Sequence, residues 1–379
     1  MSEVANIPQL RFPGFSDEWE ERPLKDVSTF FNGKAYKQAE LLSSGKYPVL
    51  RVGNFFTNNS WYYSNLELDE NKYCDNGDLL YAWSASFGPR IWAGEKVIYH
   101  YHIWKVINHS QVTKKFLFIV LDNETAKMKA QSANGFALLH ITKGTIENWK
   151  INLPTRQEQQ KIAAFLTAVD SKIEQLSKKK ALLGEYKKGL MQQIFSQAIR
   201  FKADDGSDFP NWEEKKLGDI LDYEQPTNYI VDSTEYDNSF DMPVLTAGKS
   251  FVLGYTNETH KVFENIPVII FDDFTTANKY VDFPFKVKSS AMKILKPKDS
   301  FVNIRLIFEF IQMLNFPIGE HKRYWISEYQ DLKIPFPSFE EQTKIANFLS
   351  SIDNKIEQVG KQLDESKQFK KALLQQMFV

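Results

Sequence analysis

A stretch of about forty residues occurs twice in this chain, and this repeat constrains the fold more than any other sequence feature. Residues 154–195 align without a gap on residues 337–378, because 337 − 154 and 378 − 195 both equal 183. About half of the aligned positions are identical, among them Glu158 and Glu341. An internal repeat has to be explained by the architecture before any single residue is interpreted.

Each copy has the pattern of a long amphipathic helix. The S/T-x-x-E spacing of Thr155 and Glu158, and of Ser338 and Glu341, predicts a capping box at the start of each helix. At about 1.5 Å per residue, forty helical residues make a rod of roughly 60 Å. An apolar stripe follows each cap and predicts a seam between two helices packed on each other, with a duplicated core helix as the alternative. The predicted seam residues are Ile162, Val169, Leu176, Leu183, Leu190, Ile345, Ile352, Val359 and Leu373.

The segment before each helix is repeated as well. Trp19-Glu20-Glu21 corresponds to Trp212-Glu213-Glu214, whereas the residues between this segment and the helix differ between the two halves. Short β-rich runs separated by Asn, Gly and Ser turns are typical of a compact α+β domain in each half. The sequence therefore predicts a first domain (1–153), a central spacer helix (154–197), a second domain (198–333) and a C-terminal spacer helix (334–379).

Two unlike domains on a duplicated scaffold suit a target that has two different parts. Duplicated domains that read the same target would have little reason to diverge. DNA is the natural candidate, because a protein with two separated reading sites sets the spacing of half-sites along the duplex. The net charge is −1, with 47 Lys and Arg against 48 Asp and Glu, so a DNA-binding surface requires local clustering of cations.

Composition and missing motifs exclude several other classes. Cys74 is the single cysteine, which excludes a disulfide framework and a multi-cysteine zinc site. The N-terminus has no apolar signal core, and the longest apolar run is too short to cross a membrane, so we expect a cytoplasmic protein without membrane contact. The sequence has no phosphate-binding loop, no Asn-Pro-Pro-Tyr/Phe element of an adenine methylase and no His/Cys metal spacing. We therefore expect no catalytic residue and no metal site.

Three features resemble one known family, the specificity subunits of type I DNA restriction-modification systems. They are the L-R-F-P-G-F-x-x-x-W-E segment at residues 10–20, the P-x-x-x-E-Q-x-K-I-A-x-F-L-x-x-x-D-x-K-I-E motif of both helices, and the order head, helix, head, helix. The resemblance covers nearly the whole chain. It implies an α+β fold in which two target recognition domains are joined by two long antiparallel coiled-coil helices, as a pseudo-two-fold internal repeat.

The resemblance also implies a function and partners. Each recognition domain would read one half of a bipartite, asymmetric target in double-stranded DNA. The chain would direct adenine methylation by two methyltransferase subunits and restriction by restriction/translocase subunits. S-adenosylmethionine, ATP and Mg²⁺ would belong to those partners, and this subunit would hold no cofactor. Two alternatives stay open, which are a single-chain nuclease or methylase with fused recognition domains and a coiled-coil adaptor without DNA binding.

Polar and basic residues near predicted strand ends are the candidate DNA contacts, because Arg and Lys bind phosphates and base edges. For each of them a solvated or structural side chain is the alternative. Asp272 and Asp273 resemble a nuclease acid pair, but we expect them to cap a strand end or orient a loop. The candidates in the first domain are Lys34, Lys37, Arg51, Asn54, Ser84, Ser86 and Arg90. Those in the second domain are Thr246, Lys249, Thr275, Thr276, Asn278, Lys279, Lys322 and Arg323.

Overall fold

The structure is a computed structural model that describes residues 6–56, 58–84, 87–132, 141–246, 250–317 and 323–378. The chain divides into two compact units, which are Met1–Leu176 with Gln362–Val379 (unit 1) and Ser177–Lys361 (unit 2). Unit 1 contains an α+β domain that we call head 1 (residues 20–153), and unit 2 contains head 2 (residues 213–336). Each unit also contains part of both long helices.

Among its described residues, head 1 contains two four-stranded sheets, a two-stranded pair and four α-helices, of which the third is the longest. Its elements are β1 (Glu20–Pro23), α1 (Leu24–Val27), β2 (Ser28–Asn32), β3 (Tyr47–Leu50), α2 (Val52–Phe56), β4 (Tyr62–Ser64), β5 (Tyr73–Cys74), β6 (Leu79–Ala82), β7 (Gly88–Ile91), β8 (Val97–Tyr99), β9 (Ile103–Asn108), α3 (Lys114–Ser132), α4 (Lys143–Glu147) and β10 (Lys150–Leu153), and the long helix α5 (Arg156–Phe195) follows. One sheet has the antiparallel order β2-β9-β6-β7. The other has the order β4-β3-β8-β5, in which β3 and β8 are parallel. Strands β1 and β10 pair with each other and join the two ends of the head.

Head 2 repeats this topology with different residues, except that no strand among its described residues corresponds to β5. Its elements are β11 (Glu213–Lys216), α6 (Leu217–Ile220), β12 (Leu221–Glu224), β13 (Met242–Leu245), β14 (Val252–Thr256), β15 (Val268–Asp272), β16 (Asn278–Val281), β17 (Lys286–Val287), β18 (Met292–Pro297), α7 (Ile304–Met313), α8 (Tyr324–Ser327) and β19 (Lys333–Phe336), and the long helix α9 (Phe339–Met377) follows. The order β12-β18-β15-β16 corresponds to β2-β9-β6-β7, and the order β14-β13-β17 to β4-β3-β8. The terminal pair β11-β19 corresponds to β1-β10. This shared topology confirms the predicted α+β class and the internal repeat.

The central strand of each head is buried on both faces, which explains its unbroken apolar sequence. Side chains alternate between the two faces of a strand. In β6, Leu79 and Tyr81 lie in the core under α3, whereas Leu80 and Ala82 lie in the core of the second sheet. In the same way, the residues of β15 divide between two cores.

Both long helices start at the predicted hydroxyl caps, but the capping-box prediction is wrong for the carboxylates. The hydroxyl oxygens of Thr155 and Ser338 accept the N–H groups of Glu158 and Glu341, each at 3.4 Å. The Glu158 carboxylate is fully buried and accepts two hydrogen bonds of 2.7 and 2.8 Å from the guanidinium of Arg11. A bidentate guanidinium stabilises a buried carboxylate more than a single backbone N–H does, so Arg11 takes it.

The same anchor recurs in unit 2. The guanidinium of Arg200 donates to both oxygens of the buried Glu341 at 3.2 and 2.7 Å. The indole N–H of Trp212 adds a third hydrogen bond to this carboxylate at 2.8 Å. Each glutamate of the repeat therefore holds the segment that precedes a head.

The glutamine that follows each glutamate holds a helix of the head. The side-chain oxygen of Gln159 accepts the N–H of Thr113, just before α3, at 2.9 Å. The oxygen of Gln342 accepts the N–H of Asn303, just before α7, also at 2.9 Å. The Glu-Gln step of the repeat thus connects a long helix to two parts of its head.

The two long helices are antiparallel within each unit. In unit 1, Lys370 of α9 pairs with Asp170 of α5 at 2.6 Å. In unit 2, Lys187 of α5 pairs with Asp353 of α9 at 2.8 Å. Lys187 and Lys370 are 183 residues apart, and so are Asp170 and Asp353. The two pairs are therefore equivalent in the repeat, and the helices pack in the same register in both units.

Burial along the helices follows most of the predicted stripe. Leu363, which the seven-residue pattern missed, is also buried. Ile162 and Leu373 lie in the core of head 1 and Ile345 in that of head 2, so the helix ends belong to the head cores. Among the described residues, none of the helices could span a membrane. The buried seam residues are Ile162, Leu176, Ile345, Ile352, Val359 and Leu373, and the half-buried ones are Val169, Leu183 and Leu190.

Candidate nucleic-acid interface

Three of the predicted contacts of head 1 lie around the turn between β8 and β9. The backbone of Lys34 forms an isolated parallel β-bridge with that of His100 in this turn. Arg51 follows β3, whose last residue, Leu50, accepts the N–H of His100 at 2.9 Å. Ser84 follows Trp83, whose N–H and carbonyl both take part in backbone hydrogen bonds. These contacts come from separate parts of the sequence, and the sheet brings them together.

Aromatic and histidine rings cover the same turn. We call Tyr36, Trp83, His100, Tyr101 and His102 the ring surface. The ring of Tyr36 stacks on that of His100 at 6.2 Å between centroids, and the rings of His100 and His102 are 4.9 Å apart. Trp83 contacts the ring of His102 at 4.9 Å and that of Tyr101 at 6.0 Å. Cations and hydroxyls in the sequence do not predict this surface, although the alternating Tyr-His-Tyr-His at residues 99–102 indicates it.

The two histidines are neutral at neutral pH. Burial, followed by the neighbouring charges of His102 and Arg51, lowers the pKa of His100 to about 4. Burial also lowers the pKa of His102. A neutral imidazole offers one N–H donor and one acceptor nitrogen, so each ring can take part in two kinds of hydrogen bond.

The cations beside the ring surface are held in place. The guanidinium of Arg51 lies 4.2 Å from the ring centroid of Tyr62 and donates to the carbonyl of Ser60 at 3.3 Å. The ammonium of Lys34 is 3.2 Å from the carboxylate of Glu40. The Lys37 backbone N–H, followed by the Lys34 ammonium, lowers the pKa of Glu40 against the opposing effect of burial. Glu40 is therefore charged and offsets part of the charge of Lys34.

The other contacts predicted in head 1 lie elsewhere in the head. The exposed guanidinium of Arg90 lies over the rings of Phe55 and Phe56 at 5.4 and 5.5 Å. The Asn54 amide nitrogen donates to two carbonyls of its own loop, including that of Ser60 at 2.7 Å. Lys37 is exposed beside Glu40. Ser86 lies outside the described residues.

In head 2, three of the predicted contacts, Thr275, Thr276 and Asn278, lie at the hairpin between β15 and β16. The Asp272 carboxylate accepts the N–H groups of Phe274 and Thr275 at 2.8 and 3.1 Å. Thr276 adopts a left-handed backbone with φ +57°, and its carbonyl accepts the side-chain N–H of Asn278 at 3.1 Å. Asp272 thus caps the turn, as expected, and its oxygen is engaged by backbone groups.

The second acid, Asp273, also has a structural role. Its carboxylate accepts the N–H of Trp325 at 2.9 Å, and its carbonyl accepts that of Tyr324 at 2.8 Å, so it holds α8. Its carboxylate also lies 3.4 Å from the buried ammonium of Lys293. This arrangement agrees with an orienting role for the acid pair. Arg323, which precedes Tyr324, is exposed.

Two further candidates of head 2, Thr246 and Lys279, lie beside the same hairpin. Thr246, Asn278 and Lys279 line one small pocket together with Asp272. Lys249 and Lys322 lie outside the described residues. Head 2 therefore presents hydroxyls, an amide and exposed cations at a position where head 1 presents the loop between β6 and β7.

One acidic cluster has the composition of a metal site but not its electrostatics. Ligand atoms of Asp232, Glu258 and His260 lie within 4.8 Å of one another. The Lys261 ammonium is 3.2 Å from Asp232, and that of the buried Lys286 is 2.8 Å from Glu258. Two ammonium groups already neutralise these carboxylates, so we interpret the cluster as an ion-pair network that holds the loops of head 2.

The chain matches a family described as "Type I restriction modification DNA specificity domain" over residues 16–184 and 210–366. The type I restriction enzyme EcoR124I/EcoR124II specificity subunit of Escherichia coli is 52% identical over 126 residues, which make up 32% of this chain and 31% of that protein. The type I restriction enzyme MjaVIII specificity subunit of Methanocaldococcus jannaschii is 25% identical over 402 residues, covering 96% of this chain and 92% of that one.

A solved structure shares the fold. The type I restriction-modification S subunit from M. genitalium has a TM-score of 0.68 at 16% identity, covering 98% of this chain and 99% of that one. The matches confirm the resemblance seen in the sequence and do not favour a single-chain nuclease or methylase. Because the family match includes both halves of the repeat, the chain belongs to the family of type I restriction-modification DNA specificity proteins.

Proposed function

We propose that this chain is the sequence-recognition subunit of a type I restriction-modification complex, and that each head reads one half of a bipartite, asymmetric DNA target. One observation carries the proposal, which is that the two heads share a topology but differ at corresponding surface turns. The turn between β8 and β9 carries His100, Tyr101 and His102, whereas the turn between β17 and β18 carries Lys288, Ser289, Ser290 and Ala291. Heads of one shape with different chemistry suit two different half-sites.

The proposed division of labour follows the repeat. Residues 1–153 and 198–333 act as the two target recognition domains, and residues 154–197 and 334–379 act as spacer helices. The candidate contacts in both heads supply phosphate and base contacts. The complex acts on double-stranded DNA in the cytoplasm.

The proposed partners are two methyltransferase subunits and the restriction/translocase subunits. S-adenosylmethionine, ATP and Mg²⁺ belong to those partners, which carry out adenine methylation and cleavage. Tyr186 of α5 and Phe369 of α9 support a pair of identical partners, because they are 56% and 52% exposed and occupy the same position of the repeat. Aromatic side chains are enriched in protein interfaces, and two equal sites suit two copies of one subunit.

Methylation mapping tests this function. The chain is co-expressed with its methyltransferase partner in a host without other adenine methylases, and we expect methylation at one bipartite, asymmetric sequence. When residues 213–336 are replaced by the second head of a relative, only one half of that sequence should change. A pattern that ignores the exchange would support the adaptor alternative, and methylation or cleavage by the chain alone would support the single-chain enzyme.

A further inference from the structure

We propose that the ring surface of head 1 is a site that reads the edges of DNA base pairs through uncharged hydrogen-bonding groups of His100 and His102. The inference rests on the proposed recognition function and adds a location and a chemistry to it. Its ligand is the major-groove edge of one or two adjacent base pairs in the half-site of head 1.

The ring nitrogens of both histidines are available to a ligand. In the described parts of the chain, the ring nitrogens of His100 and His102 have no hydrogen-bond partner. None of these nitrogens is among the buried polar atoms that lack a partner, so they are accessible. His109 of the same head is different, since its ring nitrogens lie 2.9 Å from the Thr29 hydroxyl and 3.0 Å from the Asp26 carbonyl. Two half-buried imidazoles with unused, accessible nitrogens are poised for an external partner.

The backbone of the turn is held rigidly. The N–H of His100 donates to Leu50 at 2.9 Å, and the His100 carbonyl accepts the N–H of Ile103 at 2.9 Å. Trp83 binds the turn twice, because its backbone N–H donates to the His102 carbonyl at 3.0 Å and its indole N–H donates to the Tyr101 carbonyl at 2.7 Å. A site that is fixed before binding loses less entropy when the ligand arrives.

Gly33 allows this turn to approach β2 closely. A Cβ atom at position 33 would lie 2.3 Å from the His100 carbonyl oxygen and 2.4 Å from that of Tyr99. No side chain fits in that space, so the glycine is required by the position of the turn. The close approach places Lys34 next to the ring surface.

The chemistry of the surface matches base edges better than phosphates. Each base pair shows a distinct pattern of donors and acceptors in the major groove, together with the methyl group of thymine. Neutral imidazoles supply both a donor and an acceptor, and the rings of Trp83 and Tyr101 supply an apolar edge for a methyl group. Lys34 and Arg51 flank the rings and suit the phosphates on either side. Reading and electrostatic attraction are therefore separate in this head.

The matching turn of head 2 supports a role in discrimination. Lys288 takes the place of His100 there, because its N–H donates to Leu245 at 2.9 Å as that of His100 donates to Leu50. Ser289, Ser290 and Ala291 follow and are all exposed, so an ammonium and small side chains replace the two imidazoles. Because the surrounding strands are shared, this difference is one of chemistry rather than of topology. Such a difference is expected at positions that read different bases.

The test uses the complex of this chain with its methyltransferase partner and duplexes that carry the mapped target or single base-pair changes. In the variant His100→Ala/His102→Ala, we expect discrimination at one or two base pairs in a single half-site to fall by roughly 10- to 100-fold. The slope of log affinity against log salt should stay unchanged, because no cation is removed. The matched control His109→Ala should keep the wild-type preference in both halves.

A second variant covers the case in which the alanines disturb the turn. His100→Phe/His102→Phe keeps ring packing with Tyr36 and Trp83 but has no ring nitrogen, and we expect the same loss confined to one half-site. If either folded variant keeps wild-type discrimination in both half-sites, the proposal is overturned. If the wild-type complex shows no bipartite target at all, the proposed function itself fails, which is a separate and earlier result.

Discussion

The backbone N–H of Leu10 donates a hydrogen bond to the carbonyl oxygen of Gln376 at 2.9 Å. In the other unit, Ile199 donates to Gln193 at 3.1 Å, and Gln193 is the counterpart of Gln376 in the repeat. The segment before head 1 therefore lies at the end of α9 as the segment before head 2 lies at the end of α5. In unit 2 the chain runs directly from α5 into this segment. In unit 1 the two parts are distant in sequence, and a hydrogen bond at the corresponding position joins them.

The Arg11–Glu158 pair is expected to anchor the N-terminal segment. Replacing Arg11 with Ala leaves a fully buried carboxylate without its guanidinium. Breaking a buried pair costs about 3 kcal/mol, so the Tm should fall by roughly 10 °C in thermal unfolding followed by circular dichroism. Arg11→Met/Glu158→Met, which removes both charges, should recover most of the loss.

The control for this experiment is Arg22→Ala, because Arg22 forms an exposed pair with Glu20. Exposed pairs contribute little, so this variant should unfold close to the wild-type temperature. Equal effects of the Arg11 and Arg22 substitutions would contradict the anchor role.

Arg90 is expected to contact DNA as a cation. Its guanidinium is exposed over Phe55 and Phe56. In Arg90→Ala, the affinity of the assembled complex for its target should fall, and the salt slope should decrease by about 0.9 if one phosphate contact is lost. Lys143→Ala removes a half-exposed cation on α4 that is paired with Glu147 and should leave the slope unchanged. An unaltered affinity and slope would remove Arg90 from the contacts.

Tyr186 and Phe369 are expected to contribute to assembly. Because more than half of each side chain is exposed, Tyr186→Ala/Phe369→Ala should leave the Tm of the isolated chain close to that of wild type. The double variant should bind the methyltransferase subunits at least tenfold more weakly, and each single variant should weaken one of two sites, as measured by native mass spectrometry. Lys172→Ala/Lys355→Ala is a matched pair of exposed positions 183 residues apart. Assembly that is equally affected by both pairs would argue against a specific site.

His100 is expected to make stability depend on pH. Its folded pKa is about 4, below the ordinary value of 6.5, so the unfolded chain takes up a proton at a higher pH than the folded chain does. Stability from this group is therefore present above about pH 6.5 and is lost as the pH falls towards 4. From pH 7 to 5 the Tm of wild type should fall more steeply than that of His100→Phe. Parallel curves would show that His100 does not titrate in this way.

The repeat made the architecture predictable from the sequence. The arrangement of side chains within each head could not be predicted from it. Residues 154–195 and 337–378 predicted two long helices because their spacing is a property of local sequence. The ring surface depends on three chain segments that the Lys34–His100 β-bridge and the β6–β9 pairing bring together, and local patterns do not specify non-local pairings. The capping role predicted for the Glu158 carboxylate is wrong for the same reason, because its partner Arg11 lies 147 residues away.

The anchors of each head lie almost entirely in segments that are repeated. Arg11, Glu158 and Gln159 have the counterparts Arg200, Glu341 and Gln342, so what attaches a head to its helix is common to both halves. The variable residues lie between those shared borders. A gene with such repeated segments can recombine within them and exchange the coding sequence of a whole head. New sequence specificities can then arise while the helices and the anchoring residues stay the same.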